Sequence, residues 1–188
     1  MSKILYFLST RYKSLLLVCF FVHMCEITQA QMYASTTYTV NISDLSLIRI
    51  YPIRSISLHL YALEAGKAPT STSTSSTNIQ LTSISPLNQT RRVTAAISSG
   101  VVPPGTLLKL ATYNCTSGLG ALGSASPTIT LNGSNQTIIN NIGSCYTGSG
   151  IGNGYNLDYL WEVDPVNIHL LKSVANVQLL ITYTITNN

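Results

Sequence analysis

Alternation of apolar and polar side chains with a period of two dominates the sequence. The clearest run is VQLLITYTIT near the C-terminus, where one side carries Val177, Leu179, Ile181, Tyr183 and Ile185. This is the period of a β-strand with one buried face, because successive side chains of a strand point to opposite faces. The chain is therefore predicted to be built from half-buried strands.

Two more segments alternate as strongly, SISLHLY at 55–61 and YNLDYLWEV at 155–163. Shorter strands are predicted at 38–42, 45–50, 79–84, 93–98, 107–114, 128–131 and 137–142. Turn residues separate them, and no segment has the length and pattern of a crossover helix. The predicted fold class is all-β, an antiparallel β-sandwich of the Ig-like, Greek-key type, with a barrel as the alternative.

The first 30 residues have the layout of a secretory signal peptide. Lys3, Arg11 and Lys13 precede the apolar run LLLVCFFVHM, and Thr28 and Ala30 supply small residues for cleavage. The run is shorter than the roughly 20 residues that span a bilayer. We expect residues 1–30 to be removed and residues 31–188 to form one domain without a transmembrane segment, secreted or held in the periplasm or on the cell surface.

The charge of residues 31–188 is small and scattered. Seven basic and five acidic side chains give a net charge of +2, and Arg91 and Arg92 would point to opposite faces of a strand. Nucleic acid binding requires a clustered basic face. We therefore expect no nucleic acid partner.

Eight consecutive Ser or Thr residues occupy 70–77, within the segment APTSTSTSSTN at 68–78. This composition has little apolar surface to offset the entropy lost on ordering. It predicts a mobile loop or a turn between strands at 68–78, either plain or carrying O-linked sugar.

Two cysteines, Cys115 and Cys145, remain after removal of the signal peptide. In an exported protein such a pair predicts a disulfide, which would stabilise the fold by about 2–5 kcal/mol on the chain-entropy account. The alternative is two free buried thiols.

Gly118, Gly120 and Gly123 match the G-x-G-x-x-G string of dinucleotide sites. The following residues contain Pro127 and read as a strand, whereas that site requires a helix at this point. We therefore expect a flexible glycine loop and no cofactor.

Groups for catalysis are few. Residues 31–188 contain two histidines, His59 and His169, and five carboxylates. Asp158 and Glu162 share a strand face but lie about 13 Å apart along it, too far for glycoside hydrolysis. No catalytic or metal-binding residues are predicted, and the protein is not expected to be an enzyme.

Three aromatic residues, Tyr155, Tyr159 and Trp161, share one face of the strand at 155–163. An exposed row of this kind stacks on sugar rings. The same row contains Leu157 and Val163, which favours a place in the core. A glycan-binding platform at Tyr155, Tyr159 and Trp161 is the alternative.

The precursor ending TQAQ, the passage TIINNIGSCYTGSGIGNGYNLDYLWEV and the terminal VQLLITYTITNN resemble small exported all-β proteins of Bacteroidota. The resemblance covers residues 101–188. A looser likeness is to the Ig-like sandwiches of fimbrial and surface-structure subunits. Both imply a single exported β domain and carry over no catalytic residue and no assigned function.

The segment YASTTYTVNI near the predicted new N-terminus also alternates. One face carries Ala34, Thr36, Tyr38, Val40 and Ile42. Strands with little charge tend to add to further strands. We expect a non-catalytic structural or adhesive surface protein, fimbria-like, that pairs through this segment with copies of itself or with other surface proteins. The alternative function is a carbohydrate-binding module.

Overall fold

The computed structural model describes residues 35–188, and all of their side chains except those of residues 70–72, 75 and 76. The chain divides into two compact units, Met1–Asn41 and Ile42–Asn188. Of the first unit, only residues 35–41 are described, and they form no strand or helix. The predicted signal peptide therefore lies outside the described residues.

Residues 42–188 form an all-β unit with two antiparallel sheets, which confirms the predicted class and is consistent with a β-sandwich. The first sheet contains β1 (Leu45–Tyr51), β2 (Leu60–Tyr61), β3 (Thr70–Ile84), β5 (Thr106–Thr112), β6 (Leu119–Gly120), β8 (Ile129–Thr130), β10 (Cys145–Tyr146) and β11 (Tyr155–Val163). The second contains β4 (Arg91–Ser99), β7 (Ser124–Ala125), β9 (Gln136–Ile142) and β12 (Leu180–Asn187). One 3₁₀ turn, Ile168–Leu170, precedes β12.

The long strand β3 organises the first sheet. Its C-terminal part pairs with β1 on one edge, and β10 and β11 pair along the other edge. The order continues from β11 to β5 and β8. In the second sheet the order is β12, β4, β9 and β7.

One apolar core contains side chains from both sheets. The first sheet contributes Ile79 and Leu110, and the second contributes Val93, Ala95 and Ile139, all completely buried. Burying a Val, Leu or Ile side chain stabilises a fold by about 1.5–3 kcal/mol. The alternation read from the sequence therefore identifies the faces that build this core.

The Ser/Thr-rich segment at 68–78 was predicted to be a loop, and that prediction is wrong. The structure places Thr70–Ile84 in β3, and residues 72–79 pair with β11. Threonine is β-branched and favours strands when a neighbouring strand supplies hydrogen bonds, as β11 does for this segment. Composition reveals only the apolar surface within the segment and does not reveal the strands that pair with it.

Several other predicted strands are absent or shortened. Of residues 128–131 only Ile129–Thr130 forms a strand, and the C-terminal strand begins at Leu180 rather than Val177. Of residues 55–61, only Leu60 and Tyr61 form a strand, although Ile56 and Leu58 pack partly buried against the core. Pro52 follows β1 and lacks the N–H that would continue a strand ladder. Residues 38–42 belong to no strand.

The glycines of this string allow close packing of the backbone and do not form the expected flexible loop. Gly118 and Gly120 have positive φ angles, and a Cβ atom at either would lie within 2.3 Å of the β10 backbone or the residue before it. A strand, β7, follows the string where a dinucleotide site needs a helix. These glycines therefore allow β6 to approach β10 closely.

Candidate functional site

The predicted pairing segment is exposed. Ala34 lies outside the described residues, while Thr36 is exposed and Tyr38, Val40 and Ile42 expose 83%, 78% and 77% of their surface. We call residues 36–42 the N-terminal segment. Its apolar side chains therefore lie where another molecule could cover them.

Arg91 is the main polar feature that the sequence did not reveal. It begins β4, is only 4% exposed, and forms an ion pair with Asp44. Its guanidinium also donates hydrogen bonds to Ser83 Oγ at 2.7 Å, the Leu45 carbonyl at 2.7 Å and Asn187 Oδ1 at 3.1 Å. One side chain therefore ties together both sheets and the start of β1.

An open polar cleft of about 380 Å³ surrounds this arginine. It is lined by residues 44–46, Arg91 and residues 185–187. It lies where β1 and β12 approach each other. Arg91 hydrogen-bonds to protein groups and so has a structural role. The cleft therefore needs no ligand to explain the position of this arginine.

The aromatic row of β11 is not a surface platform. Tyr155 is completely buried and Tyr159 is 5% exposed, while Trp161 is half-buried against the core. Burial raises the pKa of both tyrosine hydroxyls. The Tyr159 hydroxyl bonds to that of Tyr183 on β12, which links the two sheets. Tyr155 and Tyr159 thus lie in the core, as the sequence favoured, and their burial does not fit the alternative of a glycan-binding platform at Tyr155, Tyr159 and Trp161.

Two of the three acidic residues in the β11 region, Glu162 and Asp164, take part in structural contacts, whereas Asp158 Oδ1 is buried without a hydrogen-bond partner. Glu162 forms an ion pair with Lys109 of β5. Asp164 accepts hydrogen bonds from the Asn167 side chain and the Val166 N–H, and these bonds hold its pKa below the usual value. Within residues 35–188, no group of three His, Cys, Asp or Glu side chains is placed to hold a metal ion.

Both cysteines are free thiols in the structure, Cys145 buried and Cys115 half-buried. Cys115 Sγ lies 3.0 Å from the Ser117 carbonyl. Burial raises the pKa of Cys145, and the charge of Cys115 raises it further. The disulfide between the two cysteines stays a prediction.

The disulfide has a direct test in the protein recovered after export. We expect no thiol to react with a chromogenic thiol reagent in denaturant, and two to react after reduction, because oxidising compartments favour disulfides. A Cys115→Ser variant should show one reactive thiol without reduction. Two reactive thiols in the unreduced wild-type protein would contradict the disulfide.

No helix among residues 35–188 has the length and apolar character needed to cross a membrane. Comparisons with protein-family models, curated proteins and solved structures gave no match to this chain.

Proposed function

We propose that this chain is an exported structural subunit that assembles by strand pairing between copies, with the N-terminal segment as the pairing strand. The observation that supports the proposal is the exposure of Tyr38, Val40 and Ile42, three alternating apolar side chains outside any strand. Such a segment gains both apolar burial and main-chain hydrogen bonds when it joins a sheet edge.

The composition of the segment suits this role. Residues 36–42 contain no charge, proline or glycine, and β-branched or aromatic residues occupy most positions. These residue types favour pleated, half-buried surfaces. Because the segment has no charged side chain, covering it with another sheet buries no charge and carries no penalty for desolvating one.

The proposal includes export through residues 1–30 and an Ig-like, Greek-key arrangement of the strands. The chain passes between the two sheets repeatedly: β4 is followed by β5 in the other sheet, and β11 by β12. Such crossings are typical of Greek-key sandwiches. The proposed location is the cell surface, the periplasm or the medium.

A matched pair of lysine substitutions tests the assembly. Val40→Lys places a charge in the pairing strand, whereas Val101→Lys changes a valine of nearly equal exposure, 79%, in a loop. Covering a valine contributes about 1.5–3 kcal/mol, so Val40→Lys is expected to weaken association at least about tenfold. Light scattering after size-exclusion chromatography, with negative-stain microscopy, measures the assemblies.

We expect filaments or regular oligomers from the exported wild-type protein and from Val101→Lys, and monomers from Val40→Lys. Circular dichroism checks that both variants keep the β fold. A monomeric wild-type protein, or Val40→Lys assemblies like those of the wild type, would contradict the proposed function.

A further inference from the structure

We propose that the N-terminal segment of one copy pairs with the free edge of β12 in a second copy. This inference rests on the proposed function and adds the acceptor site. Among the described strands, β1 and β12 are the only ones longer than two residues that pair with a single other strand. These two strands are therefore unpaired along the whole of one edge, and we compare them as acceptors.

The two edges differ in their protection against strand addition. The strand β1 carries Arg49 and is followed directly by Pro52. Charged residues and prolines are the usual means of blocking an exposed edge. The strand β12, LITYTITN, has no charge, no proline and no glycine over its eight residues. An unprotected edge of this length is expected to accept another strand.

The direction of the β12 backbone groups follows from its pairing with β4. Ile97 donates its N–H to the Asn132 carbonyl, away from β12, and Ile97 lies opposite Ile181. In an antiparallel pair, residues that do not bond each other direct their N–H and C=O groups outward. The N–H of Ile181 therefore points to the free edge.

The same alternation continues along β12. The register to β4 is regular from Ile181 to Asn187, so Tyr183 and Ile185 also direct their backbone groups to the free edge. The Asn188 N–H bonds to the Thr90 carbonyl, which agrees with the opposite orientation at even-numbered positions. A strand added to β12 would thus meet the backbone groups of Ile181, Tyr183 and Ile185.

The core is incompletely covered beside this edge. Ile181, Tyr183 and Ile185 face the core but are only half-buried. Of their partners on β4, Val93 and Ala95 are completely buried and Ile97 is half-buried. An added strand with apolar side chains at every second position would extend the apolar layer past β12. The N-terminal segment has this pattern.

A second copy of the chain is the occupant that this combination favours. Donor and acceptor are both uncharged, have seven and eight residues, and occur together in every copy. Pairing of two different surfaces is heterologous and leaves a free donor and a free acceptor at the ends. Such contacts build open chains of subunits.

Hydrogen exchange with a synthetic peptide tests the acceptor edge. The acceptor is the full-length Val40→Lys chain after export, and the probe is a peptide of residues 35–43, STTYTVNIS. We expect the peptide to slow exchange at least tenfold at the N–H groups of Ile181, Tyr183 and Ile185. The N–H groups of Thr182, Thr184 and Thr186 already face β4 and should change little. The same peptide with Val40→Lys is the matched control and should have no effect.

Different failures point to different errors. Slowed exchange at residues 45–51 with β12 unchanged would overturn the edge assignment and leave the proposed function standing. A wild-type assembly in which the N–H groups of Ile181, Tyr183 and Ile185 exchange as fast as in the Val40→Lys monomer would also overturn the edge assignment and leave the proposed function standing. Slow exchange at these three N–H groups in a monomeric wild-type protein would show that the acceptor is filled by its own chain and would overturn pairing between copies.

Discussion

Replacing Arg91 with alanine is expected to lower the free energy of unfolding by about 3 kcal/mol, because one buried and several partly buried acceptors lose their donor at once. The Ser83 hydroxyl and the carbonyls of Leu45 and Ile84 each accept a hydrogen bond from the guanidinium. The loss of the side chain also removes the link between β1, β3 and the end of β12. Urea unfolding followed by circular dichroism measures the change.

The neighbouring arginine is the matched control. Arg92 is exposed on the opposite face of β4, so Arg92→Ala should change the free energy of unfolding by no more than about 0.5 kcal/mol. Arg91→Lys keeps the charge but offers fewer donors in a different geometry, and an intermediate loss is expected. Equal unfolding curves for Arg91→Ala and Arg92→Ala would contradict the role assigned to Arg91.

The sequence could predict that the two arginines point to opposite faces, but it could not predict which one is buried. The partners of Arg91 include Asp44 and Asn187, which lie 47 positions before it and 96 positions after it. Only the folded topology brings these groups together. The apolar residues that follow Arg91 at alternate positions, Val93 and Ala95, were the available signal that this face enters the core.

Strands whose alternation reflects one buried face were predicted close to their observed bounds. The segment 155–163 matches β11, and 137–142 lies within β9 (Gln136–Ile142). The N-terminal half of β3 escaped prediction because its Ser and Thr side chains give no apolar pattern. Its strand structure depends on pairing with β11, a partner about 80 positions away in the sequence.

Of the two parts of the proposed assembly surface, only the donor segment could be predicted from the sequence. The alternation of Thr36, Tyr38, Val40 and Ile42 predicts a strand from local sequence, although these residues form no strand within the single chain. The acceptor edge is a property of strand order, because β12 is at the end of the order β12, β4, β9 and β7 and pairs with β4 alone. No local pattern in LITYTITN distinguishes an edge strand from an inner strand.

Replacing Gly154 with alanine is expected to lower the free energy of unfolding by about 3–4 kcal/mol. Gly154 has a φ angle of +103°, and a Cβ atom there would lie 2.2 Å from the Ile79 carbonyl oxygen. The start of β11 would have to move away from β3 at Ile79, which is completely buried. The movement would also disturb the hydrogen bond from Gln80 Nε2 to the Asn153 carbonyl, 3.0 Å long.

Gly152→Ala separates the backbone strain of a positive φ angle from the steric clash of the added Cβ atom. Gly152 also has a positive φ angle, +78°, but a Cβ atom there would meet nothing within 4 Å. It should therefore cost only the backbone strain of the left-handed conformation, about 1–2 kcal/mol. Thermal and urea unfolding of both variants measure the difference, which reports the contact between β11 and β3. Equal losses for the two variants would mean that backbone strain accounts for the whole effect and that Gly154 is not required for the close approach of the strands.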